Sequence, residues 1–283
     1  MVQITLFVRT PDFQEREGLP ISLATFPSGP LDESVALAKK LGYDGIEILA
    51  GDPETIDAGH VAQVLARHGM TISAINTGGM NYMFDISLVN ADPRKEELAF
   101  RKLQAAIRTA GRLGCLTQVG IARGNAVKGR PIAWFRDRLV DVLRAACDYA
   151  AFCRASIVLE PTNRFEHGTV HTIDEGIRII ERVAKPNLGL LIDTYHAYIE
   201  EDDIYAGIER ARDHVRYFHL HDSDRGPAGV SNGVIDFDKI FRILNDMRYS
   251  GNLADGLLTM ELPEDRVKRS AFYLRERITR YGL

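Results

Sequence analysis

Four residues that can bind a metal follow short apolar segments in the second half of the chain. Glu160 follows "SIVL", Asp193 follows "LGLLI", His221 follows "RYFHL" and Glu261 follows "LLTM". Each segment has the length and composition of a buried strand. Carboxylate oxygens and an imidazole nitrogen are ligands for divalent cations. The four positions therefore predict a metal site, provided that the fold brings the strand ends together.

A cation is also required by electrostatics. Three carboxylates cannot share a desolvated site unless positive charge compensates them. The oxygen-rich ligand set favours Mn²⁺, with Mg²⁺ and Co²⁺ as alternatives. His219 faces the same side of its strand as His221 but lies deeper, and we expect it to support the site. The alternative for a lone acid such as Asp193, which precedes Thr194, is a helix cap.

The elements that must position these residues alternate regularly along the chain. Apolar segments typical of parallel strands are followed by segments with helical spacing of apolar residues. The predicted strands cover 21–27, 45–51, 71–77, 116–122, 156–162, 188–196, 215–222 and 257–262, and the predicted helices cover 30–42, 58–69, 94–114, 134–153, 173–185, 203–212, 236–248 and 266–282. Eight such units predict an α/β fold with a single (β/α)8 TIM barrel, whose active site lies at the carboxyl ends of the strands. A doubly wound open sheet is the alternative, but no GxGxxG motif follows the first strand.

The domain organisation follows from the absence of linkers and low-complexity segments. We predict one TIM-barrel domain over residues 1–283, with residues 1–19 as a possible N-terminal extension strand and loop. The net charge of −4 and the lack of a basic block do not indicate nucleic-acid binding. Three scattered cysteines do not form a disulfide framework, and no signal peptide or membrane-spanning segment is evident. We expect a soluble cytoplasmic protein with no membrane or nucleic-acid partner.

Several motifs resemble those of the xylose-isomerase-like TIM barrels, a group of sugar and sugar-phosphate isomerases and epimerases. The motifs are "LEPTNRFE" (159–166), "DTYHAYIEE" (193–201), "HLHDSD" (219–224) and "MEL" (260–262). The resemblance covers nearly the whole chain and is closest to the ketose 3-epimerase branch, which includes D-tagatose and D-psicose epimerases.

The resemblance implies roles for individual residues. It implies that Glu160, Asp193, His221 and Glu261 bind the metal and that Glu160 and Glu261 act as the catalytic acid–base pair. It also implies substrate contacts for the residues that match further family positions, which are Glu166 and His196. The epimerases carry an arginine six residues beyond the metal histidine, where this chain has Pro227. Arg225, four residues beyond, is expected to substitute as a substrate-binding residue.

The implied reaction is proton abstraction next to a carbonyl group. Proton removal and return through an enediolate would invert the carbon, whereas return at the adjacent carbon would give isomerisation. Dehydration of inososes or dehydroshikimate, hydroxypyruvate isomerisation and 3-keto-glycoside lysis are alternatives on the same scaffold. DNA repair of the endonuclease IV type is a remote alternative, and a non-catalytic sugar-binding barrel is another. The expected partner is a small sugar or sugar phosphate, and the resemblance implies a homodimer or homotetramer.

Two further segments are expected at the same end of the barrel. The long segment 76–93, which contains "GGMNYMF", could close over a sugar or pack into the core. The segment 122–130 carries Arg123, Lys128 and Arg130. These cations could bind a substrate phosphate, or they could face solvent.

Overall fold

The strands form a closed parallel barrel in the computed structural model, which describes residues 2–12, 29–255 and 264–283. The described strands pair in the order β1 to β8, and β8 closes the barrel by pairing with β1. This confirms the predicted (β/α)8 fold. The strands are β1 (Ile4–Arg9), β2 (Gly45–Leu49), β3 (Thr71–Asn76), β4 (Leu116–Val119), β5 (Ser156–Leu159), β6 (Leu188–Asp193), β7 (Val215–Leu220) and β8 (Leu253–Asp255).

Helices surround the barrel, and most of them lie within a few residues of their predicted positions. The helices are α1 (Leu31–Lys40), α2 (Ala58–His68), α3 (Gly78–Phe84), α4 (Pro93–Leu113), α5 (Ile132–Phe152), α6 (Ile173–Val183), α7 (Thr194–Glu200), α8 (Ile204–Arg210), α9 (Phe237–Asp246) and α10 (Glu264–Tyr281). In the parts of the chain given above, no helix is long and apolar enough to cross a membrane.

The first barrel strand differs from its prediction. Ile4–Arg9, which was predicted as part of a possible N-terminal extension strand and loop, is the first strand of the barrel, because this segment pairs with β2 on one side and with β8 on the other. The segment is almost entirely buried, as a barrel strand must be. The strand predicted at 21–27 lies outside the described residues.

Two other predictions differ from the structure or lie partly beyond it. The last described strand, β8, begins at Leu253, earlier than the predicted strand at 257–262. Residues 256–263, and Glu261 with them, lie outside the described residues. The segment 76–93 contains a short helix, α3, in which Met80 is fully buried.

The core has two parts. A small cluster fills the barrel interior and includes Phe7, Val158, Leu191 and Tyr217. The larger part lies between the strands and the helices around them. Because side chains alternate along a strand, polar residues occupy the inward-facing positions near the carboxyl ends, above this small apolar cluster.

Candidate active site

A cavity opens at the carboxyl ends of the strands, above the small apolar cluster that fills the barrel interior. It encloses about 510 Å³ when its open mouth is included. The apolar part of the cavity wall includes Phe7, Leu49 and Ile121. Among the residues that sequence analysis singled out, Glu160, Glu166, Asp193, His196 and Arg225 line this cavity.

Glu160 comes directly after β5, and both of its carboxylate oxygens are held. Gln118 Nε2 donates a hydrogen bond to Oε2, and His219 Nδ1 lies 3.3 Å from Oε1. Gly120 is required beside it, because a Cβ at that position would lie 2.2 Å from Glu160 Oε2. Burial alone would raise the pKa of Glu160, but the hydrogen bond and positive charge of His219 outweigh it and lower the pKa.

His219 links Glu160 to a second buried acid, Glu47 of β2. His219 Nε2 lies 3.1 Å from Glu47 Oε2, which also accepts a hydrogen bond of 2.6 Å from the Tyr217 hydroxyl. Asn76 Nδ2 donates to the other oxygen of Glu47 at 2.9 Å. Burial disfavours charge on His219, but the carboxylates of Glu47 and Glu160 raise its pKa well above the ordinary value. His219 is thus an imidazolium between two carboxylates, which fits its predicted supporting place.

Asp193 ends β6, and its two carboxylate oxygens make different contacts. Its Oδ1 accepts a hydrogen bond of 2.9 Å from the Tyr195 amide and so caps α7. Its Oδ2 lies 3.1 Å from His221 Nδ1 and 3.8 Å from His196 Nε2. Burial would raise the pKa of Asp193, but His221 and then His196 lower it below its ordinary value. The helix cap and the metal ligand were alternatives in the sequence, and the geometry accommodates both.

His221 lies behind Asp193 and is fully buried. Its backbone is fixed by Thr194, whose hydroxyl accepts from the His221 amide at 2.9 Å. Its Nε2 atom is buried and has no hydrogen-bond partner among the described residues. The Nδ1 atom and the nearest Asp193 oxygen, 3.1 Å apart, are spaced as two donors around one cation can be.

His196 lies near the same acids, and Asn163 determines which of its ring nitrogens accepts a hydrogen bond. Asn163 Nδ2 donates to His196 Nδ1 at 2.8 Å, while Asn163 Oδ1 accepts from the amides of Phe165 and Glu166. The amide orientation of Asn163 is thereby fixed, so His196 Nδ1 must be an acceptor. In the neutral ring the proton is then on Nε2, the atom that faces Asp193. His196 is therefore a hydrogen-bond donor toward the cavity rather than a metal ligand.

Glu166 and Arg225 form a partly buried ion pair at the cavity wall. Arg225 Nη1 donates to Glu166 Oε1, and Nη2 lies 3.2 Å from Oε2. The guanidinium also lies 4.9 Å from the centre of the Tyr195 ring. Burial would lower the pKa of Arg225, but Glu166 raises it above its ordinary value. Although Pro227 interrupts the family pattern, Arg225 reaches the cavity from four residues beyond His221.

The residues present fit a divalent cation. Carboxylate oxygens of Glu160 and Asp193 lie within 4.8 Å of each other, close enough to bind one cation. Glu47, Glu160 and Asp193 supply three carboxylates, and the His219 imidazolium offsets one of them. A divalent cation would add positive charge beside the Glu160 and Asp193 carboxylates.

The cations of the segment 122–130 do not serve as a phosphate site. Arg123 is fully buried and donates to the carbonyl oxygens of Glu160, Thr169 and Val170. Burial lowers its pKa to about 10. Lys128 and Arg130 are exposed and do not line the cavity. Arg123 therefore stabilises the loop that follows β5.

Sequence analysis missed the uncharged and inward-facing members of the site. Gln118 and Asn163 hold Glu160 and His196, and Tyr217 and Asn76 hold Glu47. One signal was available, because Glu47 interrupts the otherwise apolar strand "GIEIL". A charged residue inside a buried strand requires a partner.

Comparisons with known proteins agree with this architecture. The family model for the xylose isomerase-like TIM barrel matches residues 35–280. A ketose 3-epimerase from Arthrobacter globiformis is 30% identical over 77% of this chain and 74% of that protein. An L-ribulose 3-epimerase from Methylomonas is 28% identical over 84% of this chain and 82% of that protein. A solved structure of L-ribulose 3-epimerase has the same fold, with a TM-score of 0.81 and 21% identity over 100% of this chain and 96% of that one. The chain belongs to the xylose isomerase-like TIM barrel family.

Proposed function

We propose that this chain is a metal-dependent ketose 3-epimerase. The observation that carries the proposal is the fixed Glu160 carboxylate, which lies at the cavity within 4.8 Å of a carboxylate oxygen of Asp193. The epimerase relatives support the same reaction class. The proposed metal ligands are Glu160, Asp193, His221 and Glu261, of which Glu261 lies outside the described residues. We favour Mn²⁺, with Mg²⁺ and Co²⁺ as alternatives.

When bound, the cation would supply Lewis-acid stabilisation of the ketose carbonyl and a neighbouring hydroxyl group. Glu160 would take the proton from carbon 3, and the electrons of the broken C–H bond would move toward the carbonyl oxygen to give an enediolate. Glu261 would return a proton to the opposite face and invert the carbon. The lowered pKa of Glu160 keeps this group in the ionised form that a general base requires.

The other polar groups of the cavity would orient the sugar. His196 presents an N–H, because Asn163 occupies its Nδ1 atom. Glu166 offers carboxylate oxygen, and Arg225 holds it in place. Hydroxyl groups of a sugar can bond to both kinds of partner, so the wall suits a polyhydroxy substrate.

The charges favour an unphosphorylated sugar. Arg225 is the one arginine or lysine among the described residues that line the cavity, and it is paired with Glu166. A phosphate dianion would need donors or cations that are free to bind it. We therefore propose a neutral ketose, and we expect a lower kcat/KM for its phosphate ester.

Exchange with deuterated water tests the proposal. Protein supplied in turn with Mn²⁺, Mg²⁺ and Co²⁺ is incubated with a panel of ketoses, their phosphates and inososes, and deuterium at carbon 3 is measured by NMR. We expect exchange and epimerisation with the native chain. Glu160→Gln should reduce both by at least about 100-fold, whereas Glu181→Gln, at an exposed acid on α6, should not. Absence of exchange with every substrate, or undiminished exchange in Glu160→Gln, would contradict the proposal.

A further inference from the structure

A second cavity lies at the opposite end of the barrel from the candidate active site. Its wall includes Leu116, Ser156 and Val215, which are the first residues of β4, β5 and β7. Asn252, just before β8, completes this side. The cavity encloses about 940 Å³ including its open mouth. It is thus a concave site at the amino ends of the strands, where the chemistry of the family does not take place.

Among the residues that the structure describes, three arginines and no acidic residue line this cavity. They are Arg212, Arg216 and Arg248. Within the described chain, the guanidinium groups of Arg212 and Arg248 form no ion pair, whereas the neighbouring Arg210 pairs with Asp174 and Glu201. The whole chain has a net charge of −4, so this concentration of positive charge departs from the average of the molecule. Like charges around one cavity repel each other, and a bound anion would relieve that repulsion.

The fold holds Arg216 at the cavity by specific contacts. Arg216 Nη2 donates to the Pro186 carbonyl at 3.1 Å, which fixes one edge of the guanidinium. The arginine stem passes over Gly189 of β6, where a Cβ would lie 2.3 Å from Arg216 Cδ. Any larger residue at 189 would therefore displace this side chain. The position of Arg216 is built into the barrel wall.

Arg248 occupies a backbone position that does not favour arginine. It follows the end of α9 with a φ of +55°, where glycine or asparagine is the ordinary choice. The backbone therefore gives no reason for a large cation at this site. Ser250 and Asn252 add polar groups to the same wall. An anion that accepts from several donors gives each of these residues a partner.

We propose that this cavity, the basal arginine cavity of Arg212, Arg216 and Arg248, binds a small phosphorylated metabolite. Planar guanidinium groups recognise phosphate oxygens through paired hydrogen bonds. Three of them match a ligand that carries at least two negative charges, such as a diphosphate or a bisphosphate. The concave shape and the apolar floor at Leu116 and Met247 suit a small molecule.

Isothermal titration calorimetry with inorganic pyrophosphate tests this site, in low-salt buffer without added divalent cation. We expect saturable binding of one pyrophosphate per chain and weaker binding of inorganic phosphate. Arg212→Gln and Arg248→Gln should each raise the Kd by about tenfold or more, because each removes a charge-assisted contact. Arg266→Gln makes the same charge change on an exposed residue at the start of α10 and should leave the Kd unchanged.

The controls separate this site from the candidate active site. Arg225→Gln removes the cation of the upper cavity and should not affect pyrophosphate binding. The proposal fails if pyrophosphate does not bind at millimolar concentration. It also fails if Arg212→Gln and Arg248→Gln bind as tightly as the native chain, or if Arg225→Gln or Arg266→Gln weakens binding as much as they do. Circular dichroism of each variant verifies that it is folded.

Discussion

Replacement of Arg123 by methionine should destabilise the protein strongly, although Arg123 itself does not line the candidate active site. Arg123 is among the largest fully buried side chains of the described residues. Methionine preserves much of the apolar stem but removes every donor. The guanidinium serves four buried acceptors, which are the carbonyls of Glu160, Thr169 and Val170 and the hydroxyl of Thr162.

The expected loss follows from these acceptors. The Val170 carbonyl also accepts from the Thr162 amide at 3.1 Å, so it keeps a partner in the variant. A buried polar group that loses its partner costs about 2 kcal/mol, so the other three acceptors cost about 6 kcal/mol. Removal of a charge from the interior offsets part of this. Burial lowers the pKa of Arg123 from 12.5 to about 10, which corresponds to about 3 kcal/mol. The net loss in the free energy of unfolding should be about 3 kcal/mol, which is a large share of a typical total.

Urea unfolding measures this loss. Fluorescence of Trp134, the one tryptophan of the chain, and far-ultraviolet circular dichroism are followed together and extrapolated to water. Arg123→Lys keeps a donor and should lose about half as much, which gives a measurable variant if Arg123→Met does not fold. Arg138→Met on the outside of α5 breaks an exposed pair with Glu96 and should cost about 1 kcal/mol or less.

One result would refute the reasoning. If Arg123→Met unfolds within about 1 kcal/mol of the native chain, these acceptors do not depend on the guanidinium, and Arg123 does not hold the loop after β5.

Three other predictions concern buried groups. Glu47→Gln should lower kcat for epimerisation by about 10- to 100-fold with little change in KM, because Glu47 acts through His219 on Glu160; equal kcat values for the variant and the native chain would contradict this. Burial raises the pKa of Asp255 from 3.8 to about 6, so the folded state binds this proton more tightly than the unfolded state does. The free energy of unfolding should therefore fall as the pH rises from 3.8 to about 6. The free energy of unfolding of Asp255→Asn should rise by about 3 kcal/mol relative to that of the native chain between pH 4 and pH 7. If urea unfolding shows the same difference between the two proteins at every pH, the prediction is wrong. Burial raises the pKa values of Cys115 and Cys147 to about 12, so a thiol reagent at pH 8 should modify them only after unfolding, as mass spectrometry can verify.

Much of the barrel was predictable because its signals are local. Helix α4 was predicted at 94–114 and spans Pro93–Leu113, since a capping acid, Asp92, and a terminal glycine, Gly114, mark its ends. The polar residues that follow β5, β6 and β7 lie at one end of the barrel because parallel strands place their carboxyl ends together. That rule predicts from the sequence alone that Glu160, Asp193 and His221 lie in one region.

The remainder depends on contacts between distant residues. Two apolar segments near the N-terminus, 4–9 and 21–27, have similar strand character, and the role of β1 is decided by pairing with β8 about 250 residues later. The partner of Glu47 is His219, which lies 172 positions away. His196 has the residue type of a metal ligand, but Asn163 donates a hydrogen bond to its Nδ1 atom, which leaves the ring proton on Nε2. Spacing within a motif carries none of this information.

The contact chain from Glu47 through His219 to Glu160 crosses the barrel lumen. It joins β2, β7 and the end of β5. The orientation of the Glu160 carboxylate, the proposed base, therefore depends on the width of the barrel as well as on the loop that carries Glu160. A substitution that makes the barrel cross-section more oval could misalign Glu160 even if it lies far from the cavity. Engineering of this scaffold for another sugar should therefore vary the rim loops and leave the lumen-facing residues of these three strands untouched.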